Sequence, residues 1–339
     1  MLLVAGGAGF VGRNLAKKLL ERGESVRIYD IRTGLDLSDP NLSFVHGDVG
    51  DQAQLRQAMQ GVEAVFNLVS LLPCSRAGRR FWTVNVEGTR NVLEAAADAG
   101  VGKVVHVSSS IVYGRPERNP CDETCTPHPI GDYGRSKLEA EAVCKRFMDR
   151  GLKVNIIRPR FIIGEGRLGL LTILFDWISR GKRIYIIGDG QNRFQMLAYQ
   201  DLIDACTLAW RKDVAGEVFN VGADDTPLLI DQMNALVAHA GTGSKIARVP
   251  GWFARLCLVV LDKLKLSPLG TEHYLIADKD FLLDCSKARD MLGWRPKLSA
   301  TAALNSTYDW FVENREHLKS EMSADFPAQG ILKLLRFFS

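Results

Sequence analysis

Gly6-Gly7-Ala8-Gly9-Phe10-Val11-Gly12 lies between the apolar run Leu2-Leu3-Val4-Ala5 and a helical pattern carrying Val11, Leu15 and Leu19. Glycines at positions 6, 9 and 12 let the backbone bend sharply after a strand. They also let it approach an anion closely and aim helix N-terminal amides, with the positive end of the helix dipole, at that anion. A strand, a glycine turn and a helix in this order form a phosphate cradle, and the expected ligand is a dinucleotide. Gly6, Gly9 and Gly12, with Phe10 and Val11 between them, are therefore candidate cofactor contacts.

Outward from this turn, β-branched apolar runs alternate with helical patterns. Strands are expected near residues 2–5, 25–30, 43–46, 63–69, 103–107 and 153–157, with helices between most of them. Short apolar runs such as Lys103-Val104-Val105-His106-Val107 are typical of strands buried on both faces. The expected fold is α/β, a Rossmann-type doubly wound parallel sheet with a smaller C-terminal substrate lobe and ligands at the carboxyl edge of the sheet. Residues 1–163 and about 193–222 are assigned to the dinucleotide domain. Residues 164–192 and 223–315 are assigned to the substrate lobe, and 316–339 to a tail. The most apolar stretch, Trp252 to Asp262, is far shorter than the roughly 20 residues of a membrane span and reads as a core helix. Ile331-Leu332-Lys333-Leu334-Leu335-Arg336-Phe337-Phe338 is basic and apolar at helical spacing, but packing or disorder is favoured over membrane contact.

Composition narrows the function. A chain of 339 residues, 46% of them hydrophobic, suffices for a large core or two unequal lobes. Its 43 basic residues against 39 acidic ones leave +4, too small and too evenly spread for nucleic acid or an anionic membrane as main partner. Strand sequence begins at Leu2, before a secretory leader could fit, so the cytoplasm is the expected compartment. Seven scattered cysteines suit reduced thiols rather than a disulfide framework. Cys121, Cys125 and His128 lack an evident fourth ligand, so no metal is expected.

The second strand ends in Val26-Arg27-Ile28-Tyr29-Asp30, where a carboxylate can accept both hydroxyls of an adenosine ribose and repel a 2′-phosphate. NAD is expected ahead of NADP, although Arg32 would reverse the preference if it faced the ribose instead. Asp48, after the third strand and beside Val49, can bond an adenine amino group or simply cap its loop. Ser108-Ser109-Ser110-Ile111-Val112-Tyr113-Gly114 ends a central strand, and Tyr133-Gly134-Arg135-Ser136-Lys137 opens a later helix. Residues four apart share a helix face, so the Lys137 ammonium can stabilise a Tyr133 phenolate. A phenol with an ordinary pKa near 10 then becomes an acid or base near neutral pH. A strand-end serine hydroxyl would hold the substrate oxygen beside it.

With these residues assembled, the chain resembles the extended short-chain dehydrogenase/reductase family, the NAD-dependent epimerase/dehydratase group, over residues 1 to about 315. Further matches are Asn67-Leu68-Val69-Ser70 after a strand, Asn85-Val86-Glu87-Gly88-Thr89 opening a helix, Arg158-Pro159, and Leu292-Gly293-Trp294-Arg295-Pro296. The resemblance implies that Ser109 binds the substrate oxygen, Tyr133 carries the proton, and Lys137 modulates it and holds the nicotinamide ribose. It adds Asp48, Val49, Leu68, Val69, Asn85 and Pro159 as cofactor contacts, Ser110, Arg160, Phe161 and Arg193 as substrate contacts, and a homodimer paired through residues 84–99 and 131–150.

Family 4,6-dehydratases carry Asp-Glu where this chain has Ser110-Ile111, and epimerase/reductases use a cysteine at Ile111, so both chemistries are disfavoured. Epimerisation of a nucleotide sugar through a 4-keto intermediate stands first. It is supported by Gly188-Asp189-Gly190-Gln191-Asn192-Arg193, whose arginine matches the family's diphosphate ligand. Phe161 and Glu272-His273-Tyr274 depart from the nucleotide-sugar pattern. The more apolar lining and the Trp252 to Leu261 segment look similar to 3β-hydroxysteroid dehydrogenase-like members, which implies, as the alternative, a net redox reaction on an apolar alcohol or ketone. A non-catalytic NAD-binding subunit comes last, because Tyr133 and Lys137 are both intact.

Overall fold

The structure is a computed structural model and describes residues 1–72, 77–169, 171–263 and 278–325. Glu272-His273-Tyr274 and the apolar tail from Ile331 lie outside the described residues. The chain forms two compact units. The first comprises Met1–Arg160, Tyr199–Gly222 and Leu283–Arg295, and the second Phe161–Ala198, Ala223–Leu282 and Pro296–Ser339.

In the first unit, the strands are β1 (Leu2–Ala5), β2 (Val26–Asp30), β3 (Leu42–His46), β4 (Ala64–Asn67), β5 (Lys103–Val107) and β6 (Val154–Pro159). The chain then leaves for β7 (Phe161–Ile163), β8 (Ile184–Ile187) and β9 (Met196–Ala198) of the second unit, and returns with β10 (Val218–Val221). The seven strands of the first unit make one parallel sheet in the order β10-β6-β5-β4-β1-β2-β3. The chain leaves β1 toward β2 and β3 on one side and resumes at β4 on the other. The β1/β4 boundary is thus the switch point, where a crevice opens at the carboxyl edge of a doubly wound sheet. This is the Rossmann-type fold expected from the alternating pattern, with strand boundaries within a few residues of those read from the sequence.

Helix α1 (Phe10–Leu20) turns Gly12, Leu15, Ala16, Leu19 and Leu20 inward, the i, i+3, i+4 spacing of one helical face. Fully burying a leucine is worth about 1.5–3 kcal/mol, against about 0.5–1.5 kcal/mol for a net hydrogen bond, so packing rather than capping holds this helix. Helix α2 (Gln52–Ala58) does have a cap, with Asp51 accepting from the Gln54 N–H at 3.0 Å. Helix α3 (Gly88–Asp98) continues from a π-helical segment, Trp82–Glu87, and α4 (Gly131–Asp149) is the long helix preceding β6. Leu3, Val65, Val92, Leu93, Val104, Val143 and Phe147 meet in the core that these helices share with the sheet.

The second unit contains the parallel pairs β7–β9 and β8–β11, where β11 is Ile246–Val249. Its other long elements are α5 (Leu171–Ser179), α7 (Leu229–Ala240), α8 (Gly251–Lys263) and α9 (Ala300–Asp325), while α6 (Tyr199–Arg211) belongs to the first unit. Phe175 packs edge-on to Tyr308 at 5.4 Å and against Phe311 at 5.7 Å. Asp225 accepts from the Ala300 N–H with both carboxylate oxygens at 2.9 Å and so satisfies the start of α9.

Helix α8 overturns one expectation. It forms as a helix, but Trp252, Phe253 and Leu256 are exposed, and Ala254 is buried. With Arg255 as the one charge before Asp262, the run carries too few polar residues to mark which side faces inward, so its burial was not readable. Leu283–Arg295 rejoins the first unit, where Gly293 ends a helical turn at φ +68° and the buried Trp294 indole donates to the Asp201 carbonyl at 2.9 Å.

Candidate active site

The glycine turn closes on the switch point. Gly6 has φ +77°, and a Cβ there would stand 3.0 Å from the backbone of both Leu68 and Val69, so the loop after β4 rests directly on the turn. At Gly12 a Cβ would lie 2.3 Å from the Gly6 carbonyl oxygen and 2.6 Å from the Gly7 Cα, so the helix can seat on the turn only without it. Gly9 differs. Its φ of −71° and ψ of 167° suit any residue, and its nearest neighbour would be the Gly6 oxygen at 3.2 Å. No side chain caps α1, and no acidic residue stands in its first turn. The first amides of a helix without such partners suit an anion.

Asp30 ends β2, where one carboxylate oxygen accepts from the Ala8 N–H and the other from the Arg32 N–H, both at 2.9 Å. These bonds fix the carboxylate beside the glycine turn, while the Arg32 side chain is exposed. Phe10 stacks edge-on against Tyr199 at 5.0 Å, and Val11 is half-buried. Asp48 is exposed and accepts from the Gly50 N–H at 2.7 Å, which is loop capping, and Val49 beside it is buried. The Asn85 amide is fully buried: its oxygen accepts from the Leu71 N–H and its nitrogen donates to the Ser136 hydroxyl, each at 2.9 Å. Asn85 therefore ties the loop after β4 to α4 from inside the protein.

Helix α4 lies along the carboxyl end of β5. Lys137, 1% exposed, donates from Nζ to the Val107 carbonyl at 2.8 Å. One turn earlier, Tyr133 is buried with its ring edge-on to Phe81 at 5.9 Å. Burial pushes the Lys137 pKa down to about 8, and the Glu141 carboxylate pulls in the opposite direction. Ser109, two residues past β5, is half-buried and accepts from the Ile111 N–H at 3.3 Å, a bond that does not use its own proton. Its neighbour Ser110 is buried and opens the 3-10 turn Ser110–Tyr113. The sheet edge and one face of α4 thus place a serine hydroxyl, a phenol and an ammonium on adjoining elements of the first unit.

Sequence reading missed what lies beneath. Glu141, 1% exposed, accepts from Arg158 Nε at 3.0 Å and Nη2 at 2.6 Å, and from the Ser108 hydroxyl at 2.5 Å. Arg158 Nη1 also donates to the Tyr113 hydroxyl at 2.7 Å, and that hydroxyl donates to Asn220 Oδ1 at 2.8 Å. Burial works against the Arg158 charge, yet the Glu141 hydrogen bonds and opposite charge hold its pKa above the usual guanidinium value. The one available signal was spacing, since Tyr133, Lys137 and Glu141 recur every fourth residue of α4.

Pro159 is buried at the end of β6, and Arg160, the last residue of this part of the first unit, has its pKa lowered to about 10 by burial. Phe161 and Arg193 belong to the second unit. Phe161 packs edge-on against Phe194 at 5.5 Å, while the exposed Arg193 donates from Nη1 to the Thr226 carbonyl at 2.8 Å. Among the described residues, no group of three or more His, Cys, Asp or Glu is placed to hold a metal ion. Nor, among them, is any helix long and apolar enough to cross a membrane.

Residues 2–222 match the family model for the NAD dependent epimerase/dehydratase family. The chain belongs to that family. It is thus an NAD-dependent enzyme of the extended short-chain dehydrogenase/reductase type. It is 39% identical over 318 residues to the uncharacterized protein y4nG of Sinorhizobium fredii, covering 93% of this chain and 80% of that one. It is 28% identical over 337 residues to a sterol-4-alpha-carboxylate 3-dehydrogenase (decarboxylating) of Mus musculus, covering 94% and 91%. Among solved structures, it is similar to a UDP-glucose 4-epimerase of Thermotoga maritima crystallised with UDP-glucose. That similarity has a TM-score of 0.77 and 25% identity over 93% of this chain and 99% of the other.

Proposed function

We propose that this family member epimerises a nucleotide sugar through a transient 4-keto intermediate, with NAD as the resident hydride carrier. The observation that carries the redox half is the buried Lys137 ammonium, held on the Val107 carbonyl one helical turn from Tyr133. When bound, NAD supplies the hydride acceptor. Its diphosphate is assigned to the turn at Gly6, Gly9 and Gly12, where the uncapped α1 amides fit an anion. Its adenosine ribose is assigned to Asp30. Leu68, Val69 and Pro159 flank the nicotinamide half, while Asn85 positions α4 from within.

Tyr133, as phenolate, takes the proton of the substrate hydroxyl, and the nearby positive charge of Lys137 makes that phenolate accessible near neutral pH. Ser109 donates its hydroxyl proton to the substrate oxygen and orients it. In the return half-reaction Tyr133 gives the proton back. Ser110-Ile111 offers no acid/base pair for eliminating water, so the intermediate is not dehydrated. Arg193 is assigned to the substrate diphosphate, and Arg160 and Phe161 to the sugar.

A second reading is net oxidation or reduction of an apolar alcohol or ketone. It is favoured by the mouse relative's sterol activity and by the aromatic Phe161–Phe194 pair. We also place the enzyme in the cytoplasm as a homodimer paired through α3 and α4. Purified protein is assayed with UDP- and dTDP-hexoses and, separately, with apolar secondary alcohols plus free NAD. An epimerised sugar without net NADH, abolished by Arg193→Ala, supports the first reading. NADH accumulation with alcohols, unaffected by Arg193→Ala, replaces it with the second.

A further inference from the structure

Beneath the proposed catalytic pair runs a continuous buried chain of polar groups that neither proton transfer nor cofactor binding employs. It links Ser108 on the β5 edge, Glu141 on α4, Arg158 on β6, Tyr113 in the 3-10 turn and Asn220 on β10. A two-pronged ion pair this deep is a costly way to hold three elements together, because similar-sized apolar residues often do so equally well or better. Its place is informative. Glu141 is one helical turn beyond Lys137, and Ser108, which bonds Glu141, directly follows Val107, whose carbonyl receives the Lys137 ammonium.

We propose that Glu141, clamped by Arg158 and Ser108, is a positioning residue for Lys137: it keeps the buried ammonium charged and seated on the Val107 carbonyl. The inference rests on the proposed role of the Tyr133–Lys137 pair. Two opposing forces act on the ammonium. Burial drives it toward the neutral amine, and the Glu141 carboxylate opposes that. His106 on β5 is held neutral by its own burial and adds no positive charge.

Among the described residues, further titratable groups on or beside α4 are Cys144 and Tyr133, with Arg158 and Tyr113 reached through Glu141. Burial keeps the Cys144 thiol protonated, so it contributes no negative charge. From the Trp82–Glu87 segment, the uncharged Asn85 reaches α4 through Ser136. Glu141 is therefore the acidic group that sustains the charge of Lys137. Arg158 and Ser108 fix that carboxylate in place: the guanidinium engages both oxygens in parallel bonds, and the hydroxyl holds one of them from the strand side.

Protein carrying lysine labelled with 13C at Cε is titrated by NMR, with the Lys137 signal assigned through Lys137→Met. In Glu141→Gln the Lys137 midpoint should fall by about one pH unit, because a nearby opposite charge one helical turn away is removed. The alkaline limb of the kcat profile should fall with it. Ser108→Ala removes the hydroxyl and leaves the ion pair, so a smaller shift in the same direction is expected even if Glu141→Gln fails to fold. An unchanged Lys137 midpoint in a folded variant overturns the inference whatever happens to activity. Tyr133→Phe, assayed alongside, reports separately on the proton-carrier role: full turnover there would sink that role while leaving the measured Lys137 midpoints to decide the inference.

Discussion

Two glycines of the opening turn should fail in opposite ways when a methyl group is added. A Cβ on Gly12 meets the Gly6 oxygen at 2.3 Å and the Gly7 Cα at 2.6 Å. Both are backbone atoms that cannot rotate away, so α1 must lift from the turn. Forcing a methyl into such a contact costs about 3 kcal/mol or more, roughly 6 to 12 °C in Tm for a domain of roughly 200 residues. Gly9 already has φ −71° and ψ 167°, a conformation alanine adopts freely, and its nearest contact would be 3.2 Å. Gly9→Ala should therefore change the stability of the ligand-free protein by at most about 1 kcal/mol, because restricting the unfolded chain offsets the 3.2 Å contact with the Gly6 oxygen. Its methyl, however, occupies the space assigned to the diphosphate. The NAD dissociation constant should rise at least about tenfold, equivalent to about 1.4 kcal/mol. Scanning calorimetry without ligand and NAD titration by calorimetry on both variants separate the effects. If Gly9→Ala binds NAD as tightly as the unmodified protein, the diphosphate does not lie on this turn, and an unchanged Tm in Gly12→Ala would refute the packing argument.

Two further perturbations probe the same unit. Asp30→Ala removes a carboxylate fixed by the Ala8 and Arg32 amides. It should weaken NAD binding roughly 10- to 150-fold, the loss of a charge-assisted hydrogen bond worth about 1.5–3 kcal/mol, and relax discrimination against NADP. Should the unmodified protein already prefer NADP, Asp30 does not face the ribose. Lys137→Met tests burial through stability. With the Lys137 pKa lowered from 10.5 to about 8, the unfolded chain holds more protons than the native state between those values, so this lysine's contribution to stability rises with pH across that window. Lys137→Met should therefore raise Tm at pH 7, and the gain should shrink toward zero by pH 10. A pH-independent gain, measured by calorimetry across that range, would mean that the ammonium carries no burial cost.

Much of the first unit was legible because it rests on local signals. Apart from the edge strand β3, the strands are short apolar runs buried on both faces, and the glycine turn and the i, i+4 pair Tyr133–Lys137 each lie within a single stretch of chain. What escaped reading is non-local or without periodicity. The Glu141–Arg158–Tyr113–Asn220 chain draws one residue from each of four segments, the most distant 107 positions apart, and no spacing rule joins them. Asn85 sits where the family motif places it, but its inward orientation depends on Ser136 and the Leu71 amide, which only the fold brings to it. The exposed side of α8 was hidden because its mostly apolar segment carries few polar residues to mark it.

Tyr133→Phe bears most directly on the central claim, because it removes one oxygen from a buried ring that packs against Phe81. Turnover of whichever substrate the panel identifies is measured beside NAD affinity and Tm on the same preparation. The account predicts that turnover falls by about a hundredfold or more, the scale of losing a positioned acid/base group, with affinity and Tm held. A variant that turns over at the unmodified rate would contradict it.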